Sequence, residues 1–358
     1  MMAPILAPMN TSTSRKKKKI SSFLLLGLTL GAFVLAGFSP NQKPSARIMF
    51  YNVENLFDTI DNPNTSDDEF LPDGVRNWGG YRFYIKLQRL SQVIVATGEN
   101  GFPAVIGMCE VENHQVLESL IHHTPLKKID YGIVHQESPD SRGIDVAMLY
   151  RKDMFSPQFF RAIRVSDPAD PSFTTRDILY VKGLLGTDTM HFFVNHWPSK
   201  YGGVSATKPR RALAASVLRA QTDSLLARNP SANIIIMGDL NDSPLDKSVA
   251  GVLGAKPVGK PSPSGLYNLA YPLAKKGIGT NKYRSKWDLI DQFIVSRNLV
   301  SKDGMASHSD AFSVFSPSYL LVKDENNLGE KLNRTFVGVK YNGGFSDHLP
   351  ILLDLRKK

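Results

Sequence analysis

Polar residues able to bind metals or transfer protons recur at the ends of short apolar runs in this sequence. They are only asparagine, aspartate, glutamate and histidine: Asn52, Glu110, His196, Asp239, Asn241, Asp288, Asp291, Asp347 and His348. Loops at strand ends are where a scaffold commonly presents functional side chains. If the apolar runs are strands that share one sheet edge, these side chains form a single pocket.

A pocket of carboxylates, amides and imidazoles predicts hydrolysis of a phosphoester with a hard divalent cation. Oxygen ligands without thiolates suit Mg²⁺ or Mn²⁺ rather than structural zinc. The single cysteine, Cys109, lies in an apolar run and is predicted to be a small buried side chain. A hard cation neutralises phosphate oxygens. A carboxylate can position and deprotonate water, and imidazoles can bind the phosphoryl group.

The elements that must position these residues are mostly short strands. Runs of four to eight residues bounded by Gly, Pro, Asn or Asp are typical of strands, and they occupy 46–53, 104–111, 131–136, 144–150, 178–185, 191–197, 233–240, 292–296 and 349–355. Helical spacing of apolar residues predicts helices over 81–97 and 206–228 and a shorter one over 113–122, with Pro209 in the first turn of its helix. Many strands and few helices in mixed order predict an α+β layered sandwich.

Two polar, Gly- and Pro-rich segments, 61–80 and 255–286, are predicted to be long loops. We predict that residues 46–358, with these loops, form one catalytic domain. We expect a monomer.

The N-terminal 45 residues have the pattern of an export segment. The basic run 15–19 (RKKKK) precedes the uncharged apolar run 23–38, which is typical of a secretory signal, and Ala36 and Gly37 offer a cleavage point. Residues 20–38 are also just long enough for an uncleaved membrane anchor. The prediction is therefore a periplasmic or secreted protein, with anchoring through 20–38 left open, and 39–45 as a linker.

The net charge of +10 gives weak support for a nucleic-acid partner. The first 45 residues hold six of the 43 basic residues (Arg15, Lys16, Lys17, Lys18, Lys19 and Lys43) and none of the 33 acidic ones. The remaining chain is only mildly basic, a charge that permits a nucleic-acid substrate but does not require one.

Six ordered motifs resemble the endonuclease/exonuclease/phosphatase superfamily of metal-dependent phosphoesterases. They are NVENLFD (52–58), CEVEN (109–113), NHWPS (195–199), GDLND (238–242), WDLIDQFIVS (287–296) and SDHLP (346–350). The resemblance covers nearly all of 46–358 and implies a four-layer α/β/β/α sandwich of two mixed sheets flanked by helices. It also implies a Mg²⁺- or Mn²⁺-dependent hydrolase.

The same resemblance implies roles for individual residues. Asn52, Glu110 and Asp347 correspond to the metal-site residues, with Glu110 as the main ligand. Asp239 corresponds to the carboxylate that activates water, and Asn241 to the amide that orients it. His348, oriented by Asp291, and His196 correspond to the imidazoles on the phosphate side.

A second group of cations could receive non-scissile phosphates. Arg142 precedes a predicted strand, and Lys200, Lys208, Arg210 and Arg211 lie near the start of the helix over 206–228. A helix N-terminus adds to such an attraction. The alternative is a solvated basic surface.

Three functions remain open at this stage. The first is a nuclease, most simply an endonuclease, acting on nucleic acid. The second keeps the chemistry but acts on phospholipid, sphingomyelin or an inositol phosphate. The third is a non-catalytic binding module with the same fold, since fold resemblance does not settle substrate.

Overall fold

Two large β-sheets form the centre of residues 45–356, the part of the chain that this computed structural model describes. The six strands of the first sheet are, in spatial order, β14 (Phe312–Val314), β19 (Ile351–Leu355), β1 (Ala46–Leu56), β2 (Val105–Val111), β4 (Asp145–Arg151) and β3 (Tyr131–His135). Strands β1 and β2 are parallel, and the other neighbours are antiparallel. The first sheet is therefore mixed.

The second sheet is also mixed and has seven strands. In spatial order they are β5 (Phe155–Ile163), β6 (Ile178–Leu185), β7 (Asp188–His196), β8 (Asn233–Asp239), β13 (Asp291–Ser296), β10 (Leu266–Asn268) and β9 (Lys256–Pro257). The pairs β7–β8 and β9–β10 are parallel. Its central strands are continuous runs of Val, Ile, Phe and Met, as expected for strands that are covered on both faces.

Helices and small hairpins complete the fold. The helices are α1 (Gly80–Ala96), α2 (His114–His122), α3 (Val204–Arg228), α4 (Tyr271–Lys275) and α5 (Arg297–Val300). The hairpins pair β11 (Asn281–Tyr283) with β12 (Lys286–Asp288), β15 (Leu321–Lys323) with β16 (Glu330–Leu332), and β17 (Phe336–Val337) with β18 (Lys340–Tyr341).

Alternation along the strands divides the core into three apolar layers. In β1, Ile48 and Phe50 lie in the core between the sheets, while Met49 and Tyr51 pack against α1 and α2. Helix α3 covers the outer face of the second sheet through residues such as Leu218. Successive side chains of a strand point to opposite faces, so one strand serves two cores. The predicted four-layer α/β/β/α sandwich is confirmed.

Helix α3 begins earlier than the sequence pattern predicted. Gly203, at φ 112°, precedes the first residue, Val204, and Pro209 lies inside the helix rather than in its first turn. The pattern failed here because residues 204–206 carry no apolar stripe. The first turn is instead held locally, where the Thr207 hydroxyl donates to the Gly203 carbonyl at 2.9 Å.

The segment 255–286 is not the long loop that its composition predicted. It contains β9, β10, α4 and β11 and ends at the first residue of β12. Strand β10 pairs with β13, so tertiary pairing gives structure to residues whose local sequence indicates a loop. Strand β5, rich in exposed side chains, was also not predicted.

The predicted export segment lies outside the described residues. Within residues 45–356, the helices are all too short or too polar to cross a membrane.

Candidate active site

Three predicted site residues lie side by side at one edge of the second sheet. His196 is the last residue of β7, Asp239 the last of β8 and Asp291 the first of β13. Their backbones are register partners, His196 with Asp239 and Asp239 with Asp291. Cross-strand partners lie close enough for their side chains to interact. Strand register alone therefore assembles one half of the site.

The other half comes from β1 and β2 of the first sheet, where both strands are irregular. The β1–β2 register shifts between Asn52 and Leu56, and β2 bulges between Cys109 and Val111. Glu110 lies at φ 62° and Asn55 at φ 54°. Left-handed backbone at glutamate is uncommon, and such outliers concentrate at functional sites. The bulge turns the Glu110 carboxylate towards the site.

Asn52 joins the two sheets. Its amide nitrogen lies 3.2 Å from Glu110 Oε1 and 3.1 Å from Asp239 Oδ2, and its oxygen accepts the backbone N–H of Glu54 at 3.0 Å. The second Glu110 oxygen accepts the backbone N–H of Asn55 at 3.0 Å. Both carboxylates are thus held by neutral donors, with Asn52 placed between the predicted metal ligand and the predicted base.

His348 enters from the loop before β19. Its Nδ1 lies 2.7 Å from Asp291 Oδ2, and its Nε2 lies 3.7 Å from Asp239 Oδ2. The Ser346 hydroxyl donates to the Asn52 carbonyl at 2.7 Å and accepts the His348 backbone N–H at 3.1 Å. Hydrogen bonding at one ring nitrogen fixes which nitrogen faces the site. Asp291 therefore leaves Nε2 of His348 directed at Asp239.

The two histidines have opposite electrostatic environments. Burial, together with Arg176 and Arg142, lowers the pKa of His196 well below its usual value. Burial also opposes the charged form of His348, but Asp291 and Asp239 outweigh it and raise the pKa of this histidine well above the ordinary value. One imidazole is therefore neutral and the other cationic near neutral pH, which suits a pocket that receives an anion.

Asp239 is the acid–base candidate. It is buried, and burial followed by the charge of Asp291 raises its pKa to about 7, although His348 acts in the opposite direction. Asp239 Oδ1 accepts the backbone N–H of Asn241 at 2.9 Å, while Asn241 donates its side-chain amide to the carbonyl of Trp197 at 3.0 Å. A carboxyl whose pKa lies near neutrality is suited to take a proton from water.

The donors at this site fit a hard cation. Glu110 and Asp347 are close enough for the Glu110 charge to raise the pKa of Asp347, which burial and Glu54 bring to about 6. Asp347 Oδ1 is buried and has no hydrogen-bond partner. An oxygen donor set with an unpaired carboxylate oxygen is what Mg²⁺ or Mn²⁺ would bind. The ligand atoms of Asp239, Asp291 and His348 also lie within 4.8 Å of one another.

Sequence reasoning missed a charged network behind Asp347. The Arg334 guanidinium lies 3.0 Å from Asp347 Oδ2 and 2.9 Å from Glu54 Oε1. Lys86, on α1, is buried and donates to the Thr335 hydroxyl at 2.6 Å and to the Phe345 carbonyl at 2.7 Å. Arg334 and Glu54 are 280 positions apart, so no local pattern could have paired them.

In the structure, some of the predicted phosphate-binding cations lie at or near a cleft, whereas one is a buried structural residue. Arg142 and Arg210 line a cleft of about 710 Å³ beside the site, and Lys200 lies in the turn before α3. Arg211 is fully buried, 2.8 Å from Asp242, and so is a structural residue rather than the phosphate contact that the sequence allowed. Trp197, which follows His196, is buried.

A two-sheet sandwich with carboxylates, an amide and imidazoles gathered at one edge defines a class of metal-dependent phosphoesterases. The chain belongs to the endonuclease/exonuclease/phosphatase family, whose model matches residues 47–357. It is accordingly a hydrolase acting on phosphoester bonds.

Solved structures show the same fold at low identity. Truncated TDP2 from Caenorhabditis elegans is 16% identical, with a TM-score of 0.54 over 87% of this chain and 97% of that one. A mannosyl-6-phosphatase from Bacteroides thetaiotaomicron is 17% identical, with a TM-score of 0.52 over 87% and 99%. The human Nocturnin catalytic domain is 14% identical, with a TM-score of 0.52 over 89% and 96%. No curated protein matches this chain.

Proposed function

We propose that this protein is an exported phosphoesterase in which water held by Asp239 attacks the phosphorus of the substrate. The observation that carries the proposal is the position of Asp239 Oδ2, which has the Asn52 amide at 3.1 Å and the His348 and His196 Nε2 atoms at 3.7 and 3.8 Å. A base surrounded by donors for phosphate oxygens is the arrangement that in-line hydrolysis requires.

The chain's own residues account for the proton and charge transfers. Asp239 takes a proton from the attacking water as the new phosphorus–oxygen bond forms and the bond to the leaving oxygen breaks. His348, held cationic by Asp291, donates from Nε2 to a non-bridging oxygen. Neutral His196 donates to another. A proton from solvent or from His348 completes the leaving alcohol.

Glu110 and Asp347, with Asn52 beside them, are the residues that would hold the divalent cation. When bound, Mg²⁺ or Mn²⁺ supplies positive charge that stabilises the phosphate and leaving oxygens. Removal of divalent ions with EDTA is expected to abolish turnover.

Two substrate classes follow from this chemistry. The nuclease hypothesis from the sequence is supported by mild basicity of the catalytic domain and by the fold shared with TDP2, one structure of which is described as complexed with a single-strand DNA product. A smaller phosphoester is supported by the fold shared with the mannosyl-6-phosphatase and by the compact cleft beside the site.

The test is hydrolysis by the purified full-length protein. Bis-p-nitrophenyl phosphate and p-nitrophenyl phosphate are supplied with Mg²⁺ or Mn²⁺, followed by supercoiled plasmid and RNA. Turnover should be lost in Glu110→Ala and His348→Ala and retained in His123→Ala, an exposed histidine on another surface. Absence of turnover on every substrate with either ion contradicts the proposal, and absence of nicking alone contradicts the nuclease hypothesis.

A further inference from the structure

A second cleft, the α3 cleft, lies where the C-terminal half of α3 meets β5, β6 and β7. Its volume is about 740 Å³. Tyr180 and Phe193, which belong to the apolar core under α3, form its buried floor together with His191. His191 lies five positions before His196 on β7, a separation of roughly 16 Å along the strand. A ligand in the α3 cleft is therefore remote from Asp239.

The lining of the α3 cleft has three cations and, among residues 45–356, no carboxylate. The cations are Arg161 on β5, Lys182 on β6 and Arg228 in the last turn of α3. Acids that are close to them in sequence pair with other residues, Asp223 with Arg219 at 2.6 Å and Asp177 with Arg164 at 3.0 Å. Three positive charges without a partnering carboxylate in the described chain attract an anion to this cleft.

The two arginines of the α3 cleft are held in place by neutral acceptors. Arg161 donates to the side-chain oxygen of Gln221 on α3 at 2.6 Å, and Arg228 donates to the carbonyl of Ser224 at 3.0 Å. A guanidinium has five N–H donors, so each arginine keeps donors for a ligand. Fixed guanidinium groups suit phosphate because they can bind two of its oxygens at once.

The charges of the three cations converge on the floor of the cleft. The hydroxyl of Tyr180 lies 2.8 Å from Nδ1 of His191. Burial lowers the pKa of His191, and Lys182 and Arg228 act in the same direction. Burial raises the pKa of Tyr180, against the opposing effect of Arg161 and Arg228. The cations therefore surround one space rather than three separate surfaces.

An exposed aromatic ring lines the same space. Phe159 on β5 is 51% exposed, and its ring centroid lies 6.2 Å from that of Tyr180. Aromatic rings beside cations are the arrangement on which proteins stack the bases of nucleotides. The α3 cleft thus offers a ring face together with donors for phosphate.

We propose that the α3 cleft is a second, non-catalytic binding site for a free nucleoside polyphosphate. Its phosphate groups pair with Arg161, Lys182 and Arg228, and its base stacks on Phe159. The volume of the cleft suits a small ligand of this kind. The inference does not depend on the chemistry proposed for Asp239, because binding here requires neither a divalent cation nor turnover.

The experiment is calorimetric titration of the full-length protein with ADP, pyrophosphate or adenosine in EDTA. The double variant Arg161→Gln/Arg228→Gln should raise the Kd for ADP by about tenfold or more, because hydrogen bonds to charged groups are lost. Lys127→Gln/Lys128→Gln removes the same charge from two exposed lysines outside the lining and should leave the Kd unchanged. The melting temperatures of both double variants show whether each is folded.

Phe159→Ala tests the ring contact separately from the charges. Its Kd for ADP should rise about fivefold or more, since stacking of a base on an aromatic side chain is worth that factor. Its Kd for pyrophosphate should stay at the wild-type value, because pyrophosphate has no base. Adenosine, which has no phosphate, should bind more weakly than ADP to the wild type.

Arg142→Gln distinguishes the α3 cleft from the cleft beside the catalytic residues and should leave ADP binding unchanged. Loss of ADP binding in Arg142→Gln but not in Arg161→Gln/Arg228→Gln overturns the inference, and so does an equal Kd for ADP in the wild type and this double variant. An unchanged Kd for ADP in Phe159→Ala overturns the assignment to a nucleotide. An oligonucleotide that competes with ADP and binds more tightly overturns the assignment to a free one.

Discussion

Asp239 is the residue on which the site converges, because Asn52, His196 and His348, from three separate segments, surround one of its oxygens. Its chemistry should be separable from its structural role. We expect Asp239→Asn to lower kcat by roughly 10²–10⁴-fold, the range for a positioned general base. Binding of Mn²⁺ at Glu110 and Asp347 should persist, since neither residue depends on Asp239 for a hydrogen bond.

Stability provides the second readout for this substitution. Burial raises the pKa of Asp239, so its charged form is unfavourable in the folded protein. Asp239→Asn should therefore unfold in urea at pH 8 with EDTA no more easily than the wild type. A variant that retains kcat would contradict the assignment of Asp239 as the base, and one that loses both kcat and stability would indicate a structural role.

The grouping of the candidate site residues was largely predictable, but their hydrogen bonds were not. An apolar run stops at Asn52, Glu110 and Asp239 and another begins just after His348, and this pattern marks the four positions in the sequence. The hydrogen bond from Asn52 to Asp239 joins different sheets, 187 positions apart. Local sequence carries no information about such a pair, which depends on how the two sheets pack.

At the scale of elements, the irregular end of β2 determines where Glu110 points. A left-handed backbone at glutamate stores strain that glycine would relieve, so the site costs stability. We expect Glu110→Gly to be up to about 1 kcal/mol more stable than Glu110→Gln in EDTA, with both variants inactive. Comparing the two removes the charge effect, since neither retains the carboxylate.

The measurement for Glu110 is urea unfolding of both variants under identical conditions. The greater flexibility of glycine in the unfolded chain opposes the gain, which is why the expected difference is small. If Glu110→Gly is less stable than Glu110→Gln by more than about 1 kcal/mol, the backbone at the bulge is not strained.

Helix α1 carries a second costly feature, the buried Lys86. Burial lowers its pKa from 10.5 to about 8, while Glu54 acts in the opposite direction. The unfolded chain therefore binds more protons than the folded protein between about pH 8 and 10.5, so stability rises with pH in that window. The full shift corresponds to at most about 3 kcal/mol.

The Lys86 prediction is tested by comparing the wild type with Lys86→Met in EDTA. The stability of the wild type relative to this variant should increase by roughly 1–3 kcal/mol from pH 7.5 to pH 10. Lys152→Met, at an exposed lysine, is the control and should show no such increase. If the difference in stability between the wild type and Lys86→Met does not change across this pH range, the pKa of Lys86 is not lowered.

A comparison of predicted with observed strand bounds shows which features of the local sequence are enough to predict an element. Strand β6 was predicted at its observed bounds, 178–185, because its residues are mostly apolar and Asp177 and Gly186 flank it. Strand β10 was missed because three residues carry no periodicity, and its conformation is imposed by β13. The bulges of β1 and β2 were also invisible, since their left-handed residues are Glu and Asn rather than Gly.

At the scale of the whole molecule, the layered fold determines which segments meet beside the site. Three apolar cores fix four layers, and the end of β1 at Asn55 meets the loops that carry Arg142, Thr175 and Ser199 in one cleft. These segments come from both sheets, so the cleft depends on the packing of the sandwich. The layer order was predictable from family resemblance, whereas the lining of the cleft required the structure.

Export is the whole-molecule prediction that the described residues do not address. We expect residues 1–45 fused to alkaline phosphatase to direct the enzyme out of a bacterial cytoplasm, because five cations precede an uncharged apolar run. Leu25→Asp with Leu28→Asp should abolish export, since each aspartate in such a run costs about 2.5–3.5 kcal/mol. Leu25→Val is the conservative control and should export normally.

The size and membrane extraction of the exported fusion distinguish the two fates of this segment. A cleaved signal gives a product shortened near Ala36 and Gly37, which alkaline carbonate releases from membranes. An uncleaved anchor keeps residues 20–38 and stays with the membrane, because a run of that length can just span the apolar core. Retention of the unmodified fusion in the cytoplasm, detected as reporter protein without phosphatase activity, would remove export from the proposed function. The hydrolase assignment would be unchanged, since that assignment depends only on residues 46–358.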